Sequence, residues 1–314
     1  MPSVSVIIPL YKSAPFIGAT LDSVAAQTFE DFEVLCVDDC SPDATAEIVK
    51  AYAKKDKRVR YLAHAKNQGA PAFGRNTGLQ EAKGEYVTFL DHDDSFLPTK
   101  LEELLAAMEK EKVDFICSNI YLVNAMTGQT DGLAWGAITG NAKAGFSRRL
   151  LAGNFVPPNS TLIRQSVFNE VGLFDTALKG ADDFDMWYRI TRRFPATVYA
   201  KPTATWRYMN SASISANDAM MIEDEKSFYQ KIVEGGEWTA EEKEEAARGV
   251  MRNAKRLANR YLLKKEYHTA EAMYAQAGMP KMALAVRVAP APVRLAYAWK
   301  NRRPKFMPLN LDFS

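Results

Sequence analysis

Cysteine is scarce in this 314-residue chain. Cys36, Cys40 and Cys117 are an odd, sparse set that cannot make a disulfide framework, which points to a reducing compartment and, by default, the cytosol. The three histidines, His64, His92 and His268, are scattered, and Cys36 and Cys40 lack a second ligand pair, so a zinc site is not expected. Nowhere do eighteen apolar residues run together, so no helix is expected to span a bilayer. The apolar run at 4–10 ends at once in Tyr11-Lys12, without a charged segment before it or a small-residue cleavage site after it, and is not read as a signal peptide. Charge of neither sign dominates: 40 basic against 38 acidic residues leave +2, too little for a global field toward nucleic acid or lipid. No nucleic-acid partner is expected, and any charged ligand must be bound locally.

Several catalytic signatures are also missing. No G-x-G-x-x-G follows the first apolar run, and there is no Walker loop, no G-x-S-x-G and no H-E-x-x-H, which removes dinucleotide, P-loop, serine-hydrolase and zincin readings.

What is present is an ordinary globular composition, with 47% hydrophobic and 25% charged residues, and enough chain for one large domain or two modest ones. The β-branched run Val4-Ser5-Val6-Ile7-Ile8-Pro9 reads as a buried strand, followed by Ile17, Leu21 and Val24 at helical spacing. Residues 32–37 repeat the strand signal, and Ser41-Pro42 reads as the cap and first position of a second helix. A strand near 59–62, a helix at 71–82 and a strand at 86–90 complete the alternation, which predicts an α/β fold with a mostly parallel sheet. In such sheets ligands bind beyond the carboxyl ends of the strands. A helix is expected at 97–112 and a strand at 113–121. The Gly-rich stretch 127–145 reads as a mobile loop, and strand signals disappear beyond about Asn217.

The chemistry-bearing residues stand where that rule puts them. Asp38 and Asp39 end the second strand, and because neighbouring strand side chains alternate, one of the two is expected to face a ligand and the other to be structural. In Asp91-His92-Asp93-Asp94 three carboxylates crowd a strand end, a repulsion that a hard divalent cation resolves; a solvated acidic turn is the competing reading. Arg75 lies on a helix between Gly74 and Gly78, where a guanidinium could reach a phosphate or merely snorkel. Asp182-Asp183 should open a helix, as caps or as a carboxylate base for a hydroxyl nucleophile.

Five stretches carry a resemblance in order: residues 4–11, 27–34, 37–45, Gly74-Arg75-Asn76-Thr77-Gly78 and 84–94. With 171–175 and the Asp182-Asp183 pair, the region from Pro2 to Ser215 resembles the family 2 inverting glycosyltransferases. The resemblance implies a GT-A fold and transfer of a sugar from a nucleotide donor, usually a UDP-sugar, to an acceptor hydroxyl, assisted by Mn2+ or Mg2+. It implies that Pro9 and Tyr11 flank the nucleobase, that Asp39 accepts from the uracil ring, and that Arg75 lies near ribose or pyrophosphate. Asp38 and His92 are counted with the nucleotide-sugar site. Asp91 and Asp93 form the Asp-x-Asp element, with Asp93 the direct metal ligand; Asp183 is the base and Asp182 the fallback. Lys12, Cys40 and Asp182 depart from the family's Asn, Gly and Glu, and 206–211 lacks a histidine that some relatives place near the metal.

The expected organisation is a catalytic domain at 1–216, with a nucleotide-sugar half at 1–96 and an acceptor half at 97–216, then a helical extension at 217–314. That extension either closes the back of the domain or makes an acceptor or homodimer contact. Its basic, aromatic stretch 281–306 could rest on an anionic membrane surface, where a lipid-linked oligosaccharide acceptor would be found, giving a cytoplasmic protein with a peripheral contact at the inner face of the plasma membrane. The rivals are a catalytically silent nucleotide- or glycan-binding relative and a sugar nucleotidyltransferase, although Tyr11-Lys12-Ser13-Ala14-Pro15 makes a poor triphosphate loop.

Overall fold

The computed structural model describes residues 1–208, 218–288, 294 and 309–313. The chain divides into two compact units, Met1–Leu150 with Asn154–Ser211 and Pro308–Ser314, and Leu151–Gly153 with Ala212–Met307.

In the first unit, all seven residues of β1 (Val4–Leu10) are buried, as a strand covered on both faces requires. It pairs in parallel with β2 (Phe32–Asp38) and β4 (Tyr86–Phe89), and β3 (Val59–Ala63) adds in parallel to β2. Helices α1 (Ile17–Ala25), α2 (Thr45–Lys55) and α3 (Pro71–Glu81) make the crossovers. Helix α3 lies close on β1 because two of its residues have no side chain. A Cβ on Gly78 would stand 2.4 Å from Cγ2 of Ile7, and one on Gly74 would stand 2.9 Å from Cβ of Pro9. Between these glycines, Arg75 is carried in toward the sheet. The second helix begins at Thr45, later than expected. Asp43 supplies its first acceptor, to the Thr45 N–H at 3.2 Å, while Ser41 Oγ is engaged by the Lys12 N–H.

Beyond β4 the sheet changes character. Its order is β3-β2-β1-β4-β9-β6-β10-β5, where β9 (Thr161–Arg164) runs antiparallel to β4 and to β6 (Phe115–Asn124). Strand β10 (Ala196–Tyr208) is parallel to β6, and the short β5 (Ser95–Phe96) is antiparallel to β10. The sheet is therefore mixed, parallel through β3-β2-β1-β4 and between β6 and β10, with short antiparallel pairings at β9 and β5. Because β5 takes Ser95 and Phe96, helix α4 runs Lys100–Glu111, starting later than expected.

The expected loop at 127–145 is mostly ordered structure. Strand β7 (Thr130–Leu133) pairs antiparallel with β6, and β8 (Trp135–Gly140) leads into α5 (Ala142–Leu151). One side chain fixes this region: the Asn119 amide donates to the Trp135 carbonyl and accepts from its N–H, both at 3.0 Å. Trp135 itself is 2% exposed. A strand also lies within the range read as helical, since β11 (Leu309–Phe313) pairs in parallel with β8. It buries Leu311 and Phe313, the latter against Phe146 and Phe155.

The second unit holds helices α8 (Asp218–Glu234), α9 (Ala240–Leu263), α10 (Tyr267–Gln276) and α11 (Pro280–Val288). Thr239 and Glu242 form a reciprocal capping box at the start of α9, which ties down two orphan amides. Ala258, Leu262, Ala270, Tyr274, Ala283 and Val286 make a small core shared by the last three helices.

Candidate active site

The carboxyl ends of β2 and β4, on either side of β1, deliver the acidic residues to one edge of the sheet. At the end of β2, Asp38 accepts from the Ser41 N–H at 3.0 Å and from the Tyr61 hydroxyl at 2.7 Å. Asp39, 7% exposed, organises the next loop, accepting from the Gln68 and Gly69 N–H groups and meeting His64 Nδ1 at 2.8 Å. His64 reaches on to Thr77 of α3 at 2.9 Å. The sequence pattern gives His64 no role; only its place just after β3 could have flagged it. Pro9 is buried beneath Gly74, whereas Tyr11 is 41% exposed.

Arg75 is the centre of the arrangement. Although 4% exposed, it is doubly paired, Nη1 donating to Asp182 at 2.5 Å and Nη2 to Asp91 at 3.1 Å. Burial opposes its charge, but Asp182, Asp91 and Asp183 together outweigh that and hold its pKa above the ordinary value. It does not snorkel. Neighbouring Asn76 exchanges two hydrogen bonds with the Phe174 backbone, fixing α3 to the turn between α6 (Val167–Val171) and α7 (Asp182–Thr191).

The Asp182-Asp183 pair opens α7, and its two members differ. Asp182, 2% exposed, points to Arg75 and caps nothing. Asp183 is half-buried, with Oδ1 accepting from the Phe184 N–H at 2.6 Å and from Asn154 at 3.4 Å. Burial first, then the neighbouring Asp182 charge, pushes the Asp183 carboxyl up to about 7. A carboxyl that titrates near neutrality can accept a proton there.

The acidic element after β4 also divides its tasks. Asp91 leaves a third of its side chain exposed beside Arg75. The His92 carbonyl accepts from Thr20 at 2.8 Å, its ring lies 6.2 Å from Phe16, and its Nδ1 is buried without a partner. Asp93 is half-buried, and its carbonyl accepts from Arg207 Nε at 3.1 Å. Asp94 is turned inward at 2% exposure, accepting from Asn159 at 2.8 Å and from the Arg207 N–H at 2.8 Å. Burial, then Asp93 and Asp91, hold its carboxyl well above the usual range. Neither Asn159 nor Arg207 stands out from sequence, since both lie more than sixty positions from Asp94.

The glycosyl transferase family 2 model matches residues 5–172, over half of the chain. The chain belongs to that family. It is thus a member of a family of transferase enzymes, as the ordered motifs implied. A curated family relative, the glycosyltransferase GlyG of Streptococcus pneumoniae, is 30% identical over 54% of this chain and 58% of its own length. An uncharacterized glycosyltransferase of Rickettsia felis is 31% identical over 62% of this chain but 32% of its own. The chain therefore spans about a third to three fifths of these relatives. Among solved structures, S. aureus TarS 1–349 in complex with UDP-GlcNAc superposes with a TM-score of 0.64 at 22% identity, covering 96% of this chain and 90% of that one. A mannosyltransferase from Pyrobaculum calidifontis, in complex with GDP-Man and Mn2+, gives 0.63 at 18% identity, over 95% and 80%. These superpositions identify the GT-A fold.

For a family 2 chain the donor set can be tested against a divalent metal. Asp91 and Asp93 offer hard carboxylate oxygens, and around Arg75 three carboxylates share one guanidinium, leaving an excess of negative charge. No group of three His, Cys, Asp or Glu side chains gathers as a ready cage among the described residues. Two carboxylates fit an ion whose remaining ligands come from a substrate's phosphates and from water, as Mg2+ and Mn2+ accept.

Proposed function

We propose that this chain moves a sugar from a UDP-sugar to a hydroxyl of a glycan or lipid-linked acceptor, with inversion at the anomeric carbon and Asp183 as the base. The observation that carries the reading is the contrast at the start of α7: a buried Asp182 locked to Arg75, and beside it a half-buried Asp183 raised to about 7. In this reading the acceptor oxygen bonds to the anomeric carbon while the bond from that carbon to the diphosphate oxygen breaks, its electron pair leaving with UDP. The acceptor proton passes to an Asp183 carboxylate oxygen. Arg75 holds Asp182, and through it the first turn of α7, so that Asp183 stays in place as the transition state forms. Asp39 would take the uracil ring and Tyr11 would flank it.

Asp91 and Asp93 would hold Mn2+ or Mg2+, which when bound neutralises charge gathering on the departing diphosphate. The likeness to TarS with UDP-GlcNAc and to a mannosyltransferase with GDP-Man and Mn2+ supports a nucleotide-sugar donor. We place the activity in the cytoplasm, at the inner membrane face where the acceptor is lipid-linked. Among the described residues no helix is long and apolar enough to cross a membrane. Most of the basic stretch 281–306 lies outside the described residues.

The test is UDP release from a panel of UDP-sugars with Mn2+, Mg2+ or EDTA. Slow hydrolysis of one donor, present only with metal, supports the reading. Absence of any nucleotide binding by calorimetry would refute it.

A further inference from the structure

Two ties, one helical turn apart, join α7 to the loop at 154–156. The Asn154 amide donates to Asp183 Oδ1 at 3.4 Å, and the Trp187 indole Nε1 donates to the Val156 carbonyl at 3.2 Å. Asp183 and Trp187 stand four residues apart on the helix, so both look onto the same strip of loop. The loop is held from its other side as well. Phe155 is buried, its carbonyl accepts from the Trp135 indole at 3.0 Å, and its ring packs edge-on against Trp135 and Phe313. Asn154 turns its own side-chain oxygen to the Val156 N–H at 3.0 Å, a local turn that leaves the amide nitrogen as the end facing Asp183. An exposed side chain is thus pre-set by a buried loop. The result is an uneven carboxylate. Oδ1 of Asp183 takes both donors, the Phe184 N–H at 2.6 Å and the Asn154 amide, whereas Oδ2 accepts from no group among the described residues.

We propose that Asn154 is a positioning residue for the base: with the Phe184 N–H it holds Asp183 by Oδ1, so that Oδ2 is the oxygen that takes the proton of the attacking hydroxyl. This inference rests on the reading of Asp183 as the base. A carboxylate gripped at one oxygen cannot rotate freely, and its other oxygen keeps the lone pairs that proton transfer needs. The amide N–H also favours the ionised form. It acts with the Arg75 charge, against burial and against the charges of Asp182 and Asp91.

The experiment compares the full chain as wild type, Asn154→Ala, Asp183→Asn and the double variant. Carbon-13 carboxyl shifts of labelled aspartate, with the Asp183 signal assigned by its loss in Asp183→Asn, follow the titration whether or not a donor turns over. UDP release from a UDP-sugar with Mn2+, water serving as acceptor, gives kcat and KM. Asn154→Ala is expected to move the Asp183 midpoint up by about one pH unit and to lower kcat roughly tenfold, the size of one hydrogen bond to a charged group. The donor KM and the urea midpoint should stay near wild type. The double variant should turn over no more slowly than Asp183→Asn, because Asn154 acts only through Asp183. An unmoved titration midpoint would overturn the proposal, as would a double variant that is slower again by the full effect of Asn154→Ala. A urea midpoint that falls together with donor affinity would make Asn154 a structural residue and overturn it too. Wild-type turnover in Asp183→Asn would instead overturn the base reading and this inference with it.

Discussion

Arg75 Nη1 lies 2.5 Å from Asp182 Oδ2, with both side chains 5% exposed or less. The same guanidinium reaches Asp91, so one buried cation ties the end of β4 to the start of α7. Removing it leaves a buried carboxylate uncompensated, the costly half of a buried ion pair. Arg75→Gln is expected to lower stability by roughly 3–5 kcal/mol in urea unfolding. Arg75→Lys should fall between, since a point charge cannot bridge both carboxylates. A Gln variant that unfolds at the wild-type midpoint would show that Asp182 finds its compensation elsewhere.

Asp183 should be visible in the pH profile. With its pKa near 7, kcat/KM should rise with pH through about 7 and level off above, because only the ionised carboxylate takes the acceptor proton. Asp183→Asn should bind UDP nearly as well as wild type while kcat falls roughly 10²–10⁴-fold. The folded pKa lies above the ordinary 3.8, so the folded state holds this proton more tightly than the unfolded one between those values. The ionised group therefore costs stability above about pH 7, and that cost disappears as pH falls toward 4. Asp183→Asn should be more stable than wild type at pH 8 and equal to it near pH 4. Near-normal turnover would remove Asp183 from the role of base.

The first half of the fold was readable because each signal there is local. Val4–Leu10, buried on both faces, has to be a continuous apolar run, and Gly74 and Gly78 mark a helix that touches its strand. Trp135 and its strand were not readable, because what orders them is the side chain of Asn119, sixteen residues away. Thr161–Arg164 is too short to carry a period, and its pairing with two strands far away in sequence is a tertiary event. The site follows the same division. The aspartates declared themselves by clustering, whereas Arg207 acquires its meaning only from contact with Asp93 and Asp94.

The Asp91 and Asp93 carboxylates are predicted to make UDP affinity depend on metal. In wild type, EDTA should weaken UDP binding and Mn2+ restore it. Asp93→Ala should bind UDP with one weak affinity whether metal is present or not. Asp94→Asn is a useful contrast, since its side chain is committed to Asn159 and the Arg207 N–H, and it should keep the metal response. Equal UDP affinities with and without EDTA in the wild type would leave the acidic loop without a metal-binding role.

Lys100 is fully buried at the start of α4, with Nζ 3.4 Å from the Thr161 carbonyl and 4.7 Å from the Phe96 ring centroid. No carboxylate pairs with it among the described residues. Burial brings its pKa down from 10.5 to about 7. Between those values the unfolded chain binds the proton that the folded chain has lost, so stability from this group rises as pH goes from 7 to about 10 and is flat below 7. Replacing it with a neutral side chain of similar length removes that burden. Lys100→Met is expected to be more stable than wild type at pH 6–7 by a few kcal/mol, since each tenfold loss of proton affinity on folding corresponds to roughly 1.4 kcal/mol. The gain should shrink steadily as the measurement is repeated up to pH 10, where the amine of the unfolded chain gives up its proton at little cost. A variant that is less stable at every pH by the same amount would mean that the contacts with Thr161 and Phe96, and not the buried charge, govern this position.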